Sequence, residues 1–226
     1  MRLATFNIRH GRSRAGVVDV DALRRSSASL TPDVLALQEV DVGTERVRGA
    51  DLAAEVAEAC GMALVFGATL ARHPGEYGNA VLARGQLAEV ERLVLPAWPG
   101  REPRGAILAT AEIDGGVRVS VAACHLGLGG TPKGSEARAQ LEAVLRALSR
   151  RPPPRAVLGD FNLGTRRARP VVEAAGMTLA GGPATFPARF AFRRIDHVAV
   201  EGLTLLEARV ARADVSDHRP LVVEVG

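Results

Sequence analysis

Short apolar runs of β type and longer stretches of helical period follow one another along the chain without a seam. Residues 3–8 read as a strand, and 21–30 as a short helix that Pro32 stops. A second strand is expected at 34–38. Residues 50–60 are predicted helical, with Leu52, Val56 and Ala59 on one face and Gly61 as the stop. The pattern then turns to strands, at 62–66, 79–83, 86–95, 105–113 and 117–124. Ile113-Asp114-Gly115-Gly116-Val117 reads as a hairpin turn joining the last two, so antiparallel pairing is expected there. Residues 135–149 carry Leu141, Val144, Leu145 and Leu148 at helical spacing, and Arg151-Pro152-Pro153-Pro154-Arg155 ends that helix. The apolar run 156–159 after the prolines needs a sheet to join, which makes the proline stretch a loop within one domain rather than a linker. A small helix at 170–175 and strands at 195–200, 203–210 and 221–225 complete the pattern. Mixed strands with helices near both ends predict an α/β fold: two mixed, mainly antiparallel sheets stacked face to face and flanked by helices, in a single domain over 1–226.

Composition narrows the class. A chain of 226 residues that is 47% hydrophobic and 24% charged suits one large core. The first residues lack the apolar run of an export leader, and no stretch approaches the length of a membrane span, so a cytoplasmic location is expected. Two cysteines, Cys60 and Cys124, make no disulfide framework, and no Cys/His spacing suits zinc. The net charge of +4 rests on arginine, Lys133 being the only lysine. Such a balance mildly favours polyanions, and it equally follows from genomic base bias.

Candidate chemistry collects at the ends of the strands. Asn7 closes the first and Gln38-Glu39 the second. His125 follows an apolar run, Asp160 and Asn162 follow another, Asp196 opens a strand, and Asp217-His218 precedes the last. Each of these alone is an ordinary turn former, surface acid or core histidine. Their recurrence at strand termini is what marks a site, because loops at one sheet edge meet in a crevice. Oxygen donors on Asn7, Glu39 and Asp217 suit a hard cation such as Mg²⁺ or Mn²⁺ rather than zinc. Two histidines, each with a carboxylate to fix its tautomer, and an Asp-x-Asn pair able to orient and deprotonate water suit in-line attack on phosphorus.

These segments resemble the endonuclease/exonuclease/phosphatase superfamily of metal-dependent phosphoesterases, which includes pancreatic deoxyribonuclease, abasic-site endonucleases and neutral sphingomyelinases. The match runs over Thr5-Phe6-Asn7-Ile8, Leu37-Gln38-Glu39-Val40, Tyr77-Gly78-Asn79-Ala80, Cys124-His125-Leu126, Gly159-Asp160-Phe161-Asn162, Ile195-Asp196-His197 and Ser216-Asp217-His218-Arg219-Pro220. The resemblance implies a four-layer α/β/β/α sandwich. It makes Glu39 the main metal ligand, helped by Asn7 and Asp217. Asp160 would position or deprotonate the attacking water, and Asn162 would hold it or a phosphate oxygen. His218, oriented by Asp196, and His125 would contact the phosphoryl oxygens and assist the leaving group. Glu76 is expected to orient His125, while Arg104 and Asn79 are candidate substrate contacts. One departure is Cys124, where relatives often carry threonine.

The substrate expectation rests on what is missing. No lysine-rich strip, aromatic-interleaved basic loop or membrane-directed hydrophobic hairpin is read, and Trp98 and Tyr77 stand alone of their types. The favoured reading is thus a Mg²⁺-dependent phosphodiesterase or phosphatase acting on a small or headgroup-like phosphoester. The alternative is a DNA or RNA nuclease, with nucleic acid as partner, supported by Arg12, Arg14, Arg166, Arg167 and Arg169 in loops beside the site. A catalytically silent binding module is the remote third, opposed by the intact constellation of Asp160, His125 and His218.

Overall fold

Aspartates start the first two helices. Asp19 accepts the Ala22 backbone N–H at the head of α1 (Val20–Ala28), and Asp51 accepts that of Ala54 at the head of α2 (Leu52–Cys60). Gly61, left-handed at φ 61°, ends α2. The computed structural model describes residues 1–13, 15–128 and 135–226; Arg14 and Lys133 lie outside the described residues.

Two six-stranded sheets form. The first contains β1 (Arg2–Asn7), β2 (Val34–Val42), β3 (Ala63–Ala71), β4 (Glu76–Ala83), β11 (Leu205–Val210) and β12 (Leu221–Val225), in the order β11-β12-β1-β2-β4-β3. The second contains β5 (Gly85–Val94), β6 (Gly105–Ile113), β7 (Val117–His125), β8 (Arg155–Asp160), β9 (Thr178–Leu179) and β10 (Asp196–Glu201), in the order β5-β6-β7-β8-β10-β9. β1 and β2 are parallel, as are β7 and β8, and the other described pairs are antiparallel.

Alternation along the strands builds the layers. In β2, Val34 and Ala36 face the second sheet while Leu35 and Leu37 face α1 and α2. In the second sheet, Val121 and Ala123 of β7 and Leu158 of β8 meet the first sheet. Ala122, Cys124 and Val157 pack instead beneath α3 (Ser135–Leu148) and α4 (Thr165–Ala174). The result is the expected α/β/β/α sandwich, and none of the described helices is long and apolar enough to cross a membrane.

Two expectations need correction. The helix placed at 170–175 begins at Thr165, with Pro170 inside it. Proline was read as a start, but burial of Ala168, Val171 and Val172 on one face carries the helix through it. Arg166, Arg167 and Arg169 therefore sit on a helix, not in a loop. β9, only two residues long, left no periodic signal.

Candidate active site

The flagged residues converge because alternation points them into the layer between the sheets. Leu3 and buried Thr5 face that layer in β1, and Asn7 continues the face. Val121 and Ala123 lead to His125, Ala156 and Leu158 lead to Asp160, and Asp196 precedes Val198 and Val200. This layer is apolar along its length and polar at one end. There the registers pair Asn7 with Gln38, His125 with Asp160, and Asp160 with Asp196. Gly159 permits the parallel approach of β7 and β8, since a Cβ on it would lie 2.0 Å from the Cys124 carbonyl oxygen. The Cys124 side chain packs on the helix side, so its difference from threonine does not reach the cavity.

Glu39 arrives by another route. Its odd position should turn it toward the helices with Leu35 and Leu37. Instead β2 bulges between Leu37 and Val40, placing Gln38 and Glu39 together opposite Asn79, and Glu39 takes a left-handed φ of 56°. Arg9, His10 and Asn162, which also line the cavity, have φ of 45°, 52° and 51°. Such backbones cost roughly 1–3 kcal/mol each and collect where function holds them.

The cavity encloses about 410 Å³. At its floor is Asp160, fully buried. Its Oδ2 lies 3.1 Å from Asn7 Nδ2, 3.6 Å from His125 Nε2 and 3.8 Å from His218 Nε2, and its Oδ1 accepts the Asn162 backbone N–H at 2.9 Å. Burial, then the nearby Asp196 charge, raise its carboxyl to about 7 against the pull of His218 and those hydrogen bonds.

The two histidines differ in charge. Burial pulls His218 down, but Asp196, which contacts Nδ1 at 2.9 and 3.1 Å, together with Asp160 and Asp217, lifts it to about 9. His218 is therefore an imidazolium at neutral pH. His125 is driven well below the ordinary histidine value by burial, then by Arg104 and His218. Arg104 Nη1 sits 2.9 Å from His125 Nδ1 and can only donate, so Nδ1 accepts and the ring proton is on Nε2, toward Asp160.

Arg104 also pairs with Glu102 at 3.1 Å, so it both touches the cavity and has an acidic partner. Ser216 Oγ donates to the Asn7 carbonyl at 2.6 Å and accepts the His218 N–H at 3.0 Å, pinning the Ser-Asp-His turn to the end of β1. Phe186 packs on the His218 ring, with centroids 4.8 Å apart. Neither residue was singled out in the sequence: Ser216 stood inside a quoted motif, and Phe186 lies in a loop without periodicity.

Two expected roles are not supported by the geometry. Glu76 is exposed at the start of β4, and His125 Nδ1 is engaged by Arg104 instead of a carboxylate. Asn79 points into the same inter-sheet layer as Val81, but it is 2% exposed and outside the cavity lining, and its amide donates to the Gly105 carbonyl at 2.9 Å. Its hydrogen bond ties the sheets together rather than reaching substrate.

The donor set fits a hard cation. Glu39 accepts one hydrogen bond, from Asn7 at 3.0 Å, and burial holds its carboxyl above the usual range despite that bond. A dication beside Glu39 and the half-exposed Asp217 would relieve this. Asn7 presents its amide to Glu39 and Asp160 and turns its oxygen to the Arg9 N–H, so here it bridges two carboxylates as a donor. A second group, Asp160, Asp196 and His218, has ligand atoms within 4.8 Å of one another and could hold a metal on distance alone. In that group Asp196 and His218 are engaged with each other at 2.9 Å and Asp196 does not line the cavity, whereas Glu39 and Asp217 both do.

The sequence profile of the Endonuclease/Exonuclease/phosphatase family matches residues 4–218. Among solved structures, an endonuclease/exonuclease/phosphatase from Beutenbergia cavernae is 22% identical, with a TM-score of 0.79 over 100% of this chain and 71% of that one. A family protein from Leptotrichia buccalis is 18% identical, with a TM-score of 0.80 over 100% and 99%. A 3′ phosphatase from Neisseria, solved with a product DNA hairpin, is 22% identical, with a TM-score of 0.70 over 100% and 99%. No curated protein sequence matches the chain.

Proposed function

Because the chain belongs to the endonuclease/exonuclease/phosphatase family, its chemistry is phosphoester hydrolysis, and we propose that it cleaves phosphodiesters with Mg²⁺, Mn²⁺ substituting, by in-line attack of water on phosphorus. The observation that carries this reading is the placement of Asp160, poised near neutral, between neutral His125 and cationic His218.

Asp160 accepts the proton of the attacking water, which Asn162 helps to orient from the adjoining wall. The phosphoryl oxygens lie between the Nε2–H of His125 and the His218 imidazolium, donors fixed before charge develops. Asp196 holds the His218 ring in place and keeps it protonated, so His218 can return a proton to the departing oxygen. A hard dication held by Glu39 and Asp217 would neutralise charge building on phosphorus. A diester is favoured over a monoester because a neighbouring cleft shares Asn162 and Arg193 with the cavity and offers room for a second ester group.

The test is hydrolysis of bis(p-nitrophenyl) phosphate after exhaustive chelation. Turnover should vanish and return with Mg²⁺ or Mn²⁺. Full turnover without metal, rescue by Zn²⁺ alone, or faster turnover of the monoester would overturn the reading.

A further inference from the structure

Next to the catalytic cavity a short hairpin holds two phenylalanines out in water: Phe190 is 71% and Phe192 76% exposed. Its base is ordered. Phe186 and Arg193 exchange backbone hydrogen bonds of 2.9 Å, Ala188 N–H donates to the Asp217 carbonyl at 2.6 Å, and Arg219 Nε donates to the Ala188 carbonyl at 2.7 Å. The hairpin is thus tied to the Ser-Asp-His turn, with Phe186 against His218. Rings held in water by a fixed scaffold mark a contact surface. The Arg189 guanidinium lies over the Phe190 ring at 5.1 Å.

At the foot of this hairpin, Arg193 lines both the catalytic cavity and an adjoining cleft of about 780 Å³, and Asn162 is likewise shared. Among the described residues, Arg138, Arg166 and Arg167 are the other positive side chains of that cleft. Among the described residues, no carboxylate lies within 4.0 Å of the Arg166, Arg167, Arg189 or Arg193 guanidinium, although Arg138 pairs with Glu142. Arginines without acidic partners around a cleft that opens from a phosphoesterase centre call for further phosphates on the same substrate.

We propose that the arginine cleft and the Phe190/Phe192 hairpin form a track for single-stranded nucleic acid, with phosphates flanking the scissile one seated among the arginines and unpaired bases stacked on the rings. The assignment rests on the phosphodiesterase reading above and names its substrate class. Duplex bases have their faces already stacked, so rings presented to solvent suit a single strand. A lipid surface is flat and cannot fill the cleft that carries the charge. The sequence expectation that no basic, aromatic-interleaved loop exists is therefore corrected: Phe186-Pro187-Ala188-Arg189-Phe190-Ala191-Phe192-Arg193-Arg194 is one.

The experiment measures binding of a fluorescent oligothymidylate of about ten nucleotides, in chelator, so that no hydrolysis is needed. F190A/F192A and R166Q/R167Q should each weaken binding about tenfold or more. The arginine pair should also flatten the log–log salt dependence by about 1.4, the value for two lost single-strand phosphate contacts. Both variants should turn over bis(p-nitrophenyl) phosphate within about twofold of wild type. Unchanged oligonucleotide affinity in both variants overturns the track. So does loss of binding to phosphatidylglycerol vesicles in F190A/F192A beside unchanged oligonucleotide binding, which would make the hairpin a membrane contact. If wild type binds the strand in this variant-sensitive way yet hydrolyses no diester, the track stands and the phosphodiesterase reading falls.

Discussion

Asp196 and His197 are neighbours on β10 and both fully buried, yet they belong to different regions of the molecule. Asp196 faces the layer between the sheets and grips His218. His197 faces the layer beneath α3 and α4, where its Nε2 donates to the Leu163 carbonyl at 2.8 Å and its ring packs on Phe161 at 5.1 Å. Burial holds His197 down at about 4, so it stays neutral, whereas the carboxylates around His218 overcome burial and raise it to about 9. Burial alone does not make a histidine catalytic. The face of the strand decides, because only the inter-sheet layer gathers acids at its end.

The largest effect that would break this contrast is on turnover. His218→Ala should lower kcat by about a hundredfold or more and also cost stability, because buried Asp196 then lacks its cation; Asp160→Asn should lower kcat as far while leaving the melting temperature near wild type. His197→Ala should do the reverse. It leaves the Leu163 carbonyl unpaired, costing about 1–3 kcal/mol of stability, and it should keep kcat within about twofold. A folded His197 variant that had lost turnover, or an active His218 variant, would erase the distinction.

A smaller, sharper test is the pH profile of the diesterase. Below about 7 Asp160 carries a proton and cannot accept another, so the rate should rise as pH passes through that value. Above about 9 His218 loses its proton, so the rate should fall. Stopped assays across pH 5 to 10 at saturating Mg²⁺ would check it; a profile flat through the neutral range would remove Asp160 as base. The smallest effects belong to residues that the geometry takes out of the chemistry. Asn79→Ala should cost about 1 kcal/mol in denaturant unfolding, by freeing the Gly105 carbonyl, without raising KM. Glu76→Gln should change neither stability nor rate, and a shifted rate would restore it as a partner of His125.

Much of this site was legible because strand alternation is a local rule. Once Ala156 and Leu158 are placed inward, Asp160 must follow them, and the same reasoning carries His125 and Asp196 to the shared end. Motif spacing added Asp217 and His218. What escaped reading depended on distances in space. Arg104 as the partner of His125 arises from the pairing of β6 with β7, which brings residues 21 apart in sequence into contact. Asn79 shares the inward face, and its hydrogen bond to the Gly105 carbonyl, outside the cavity lining, is what separates it from substrate. The aromatic hairpin carries no periodic signal, and nothing in the sequence states that its loop is tied to Asp217 and Arg219.

The bulge in β2 has a consequence for how the chain tolerates change in length. Before it, odd positions such as Leu35 and Leu37 pack under the helices; after it, even positions such as Val40 and Val42 do. Removing one residue there would restore a regular ladder at the expense of everything downstream. Asp41, fully buried with Arg46 as its ion partner, would turn in among Leu52 and Val56, while Val40 would take its place beside the cavity. A substitution at Gln38 or Glu39 alters one side chain, whereas a deletion shifts the phase of half a strand. Glu39 apart, that stretch of the gene can therefore drift in spelling far more freely than in length.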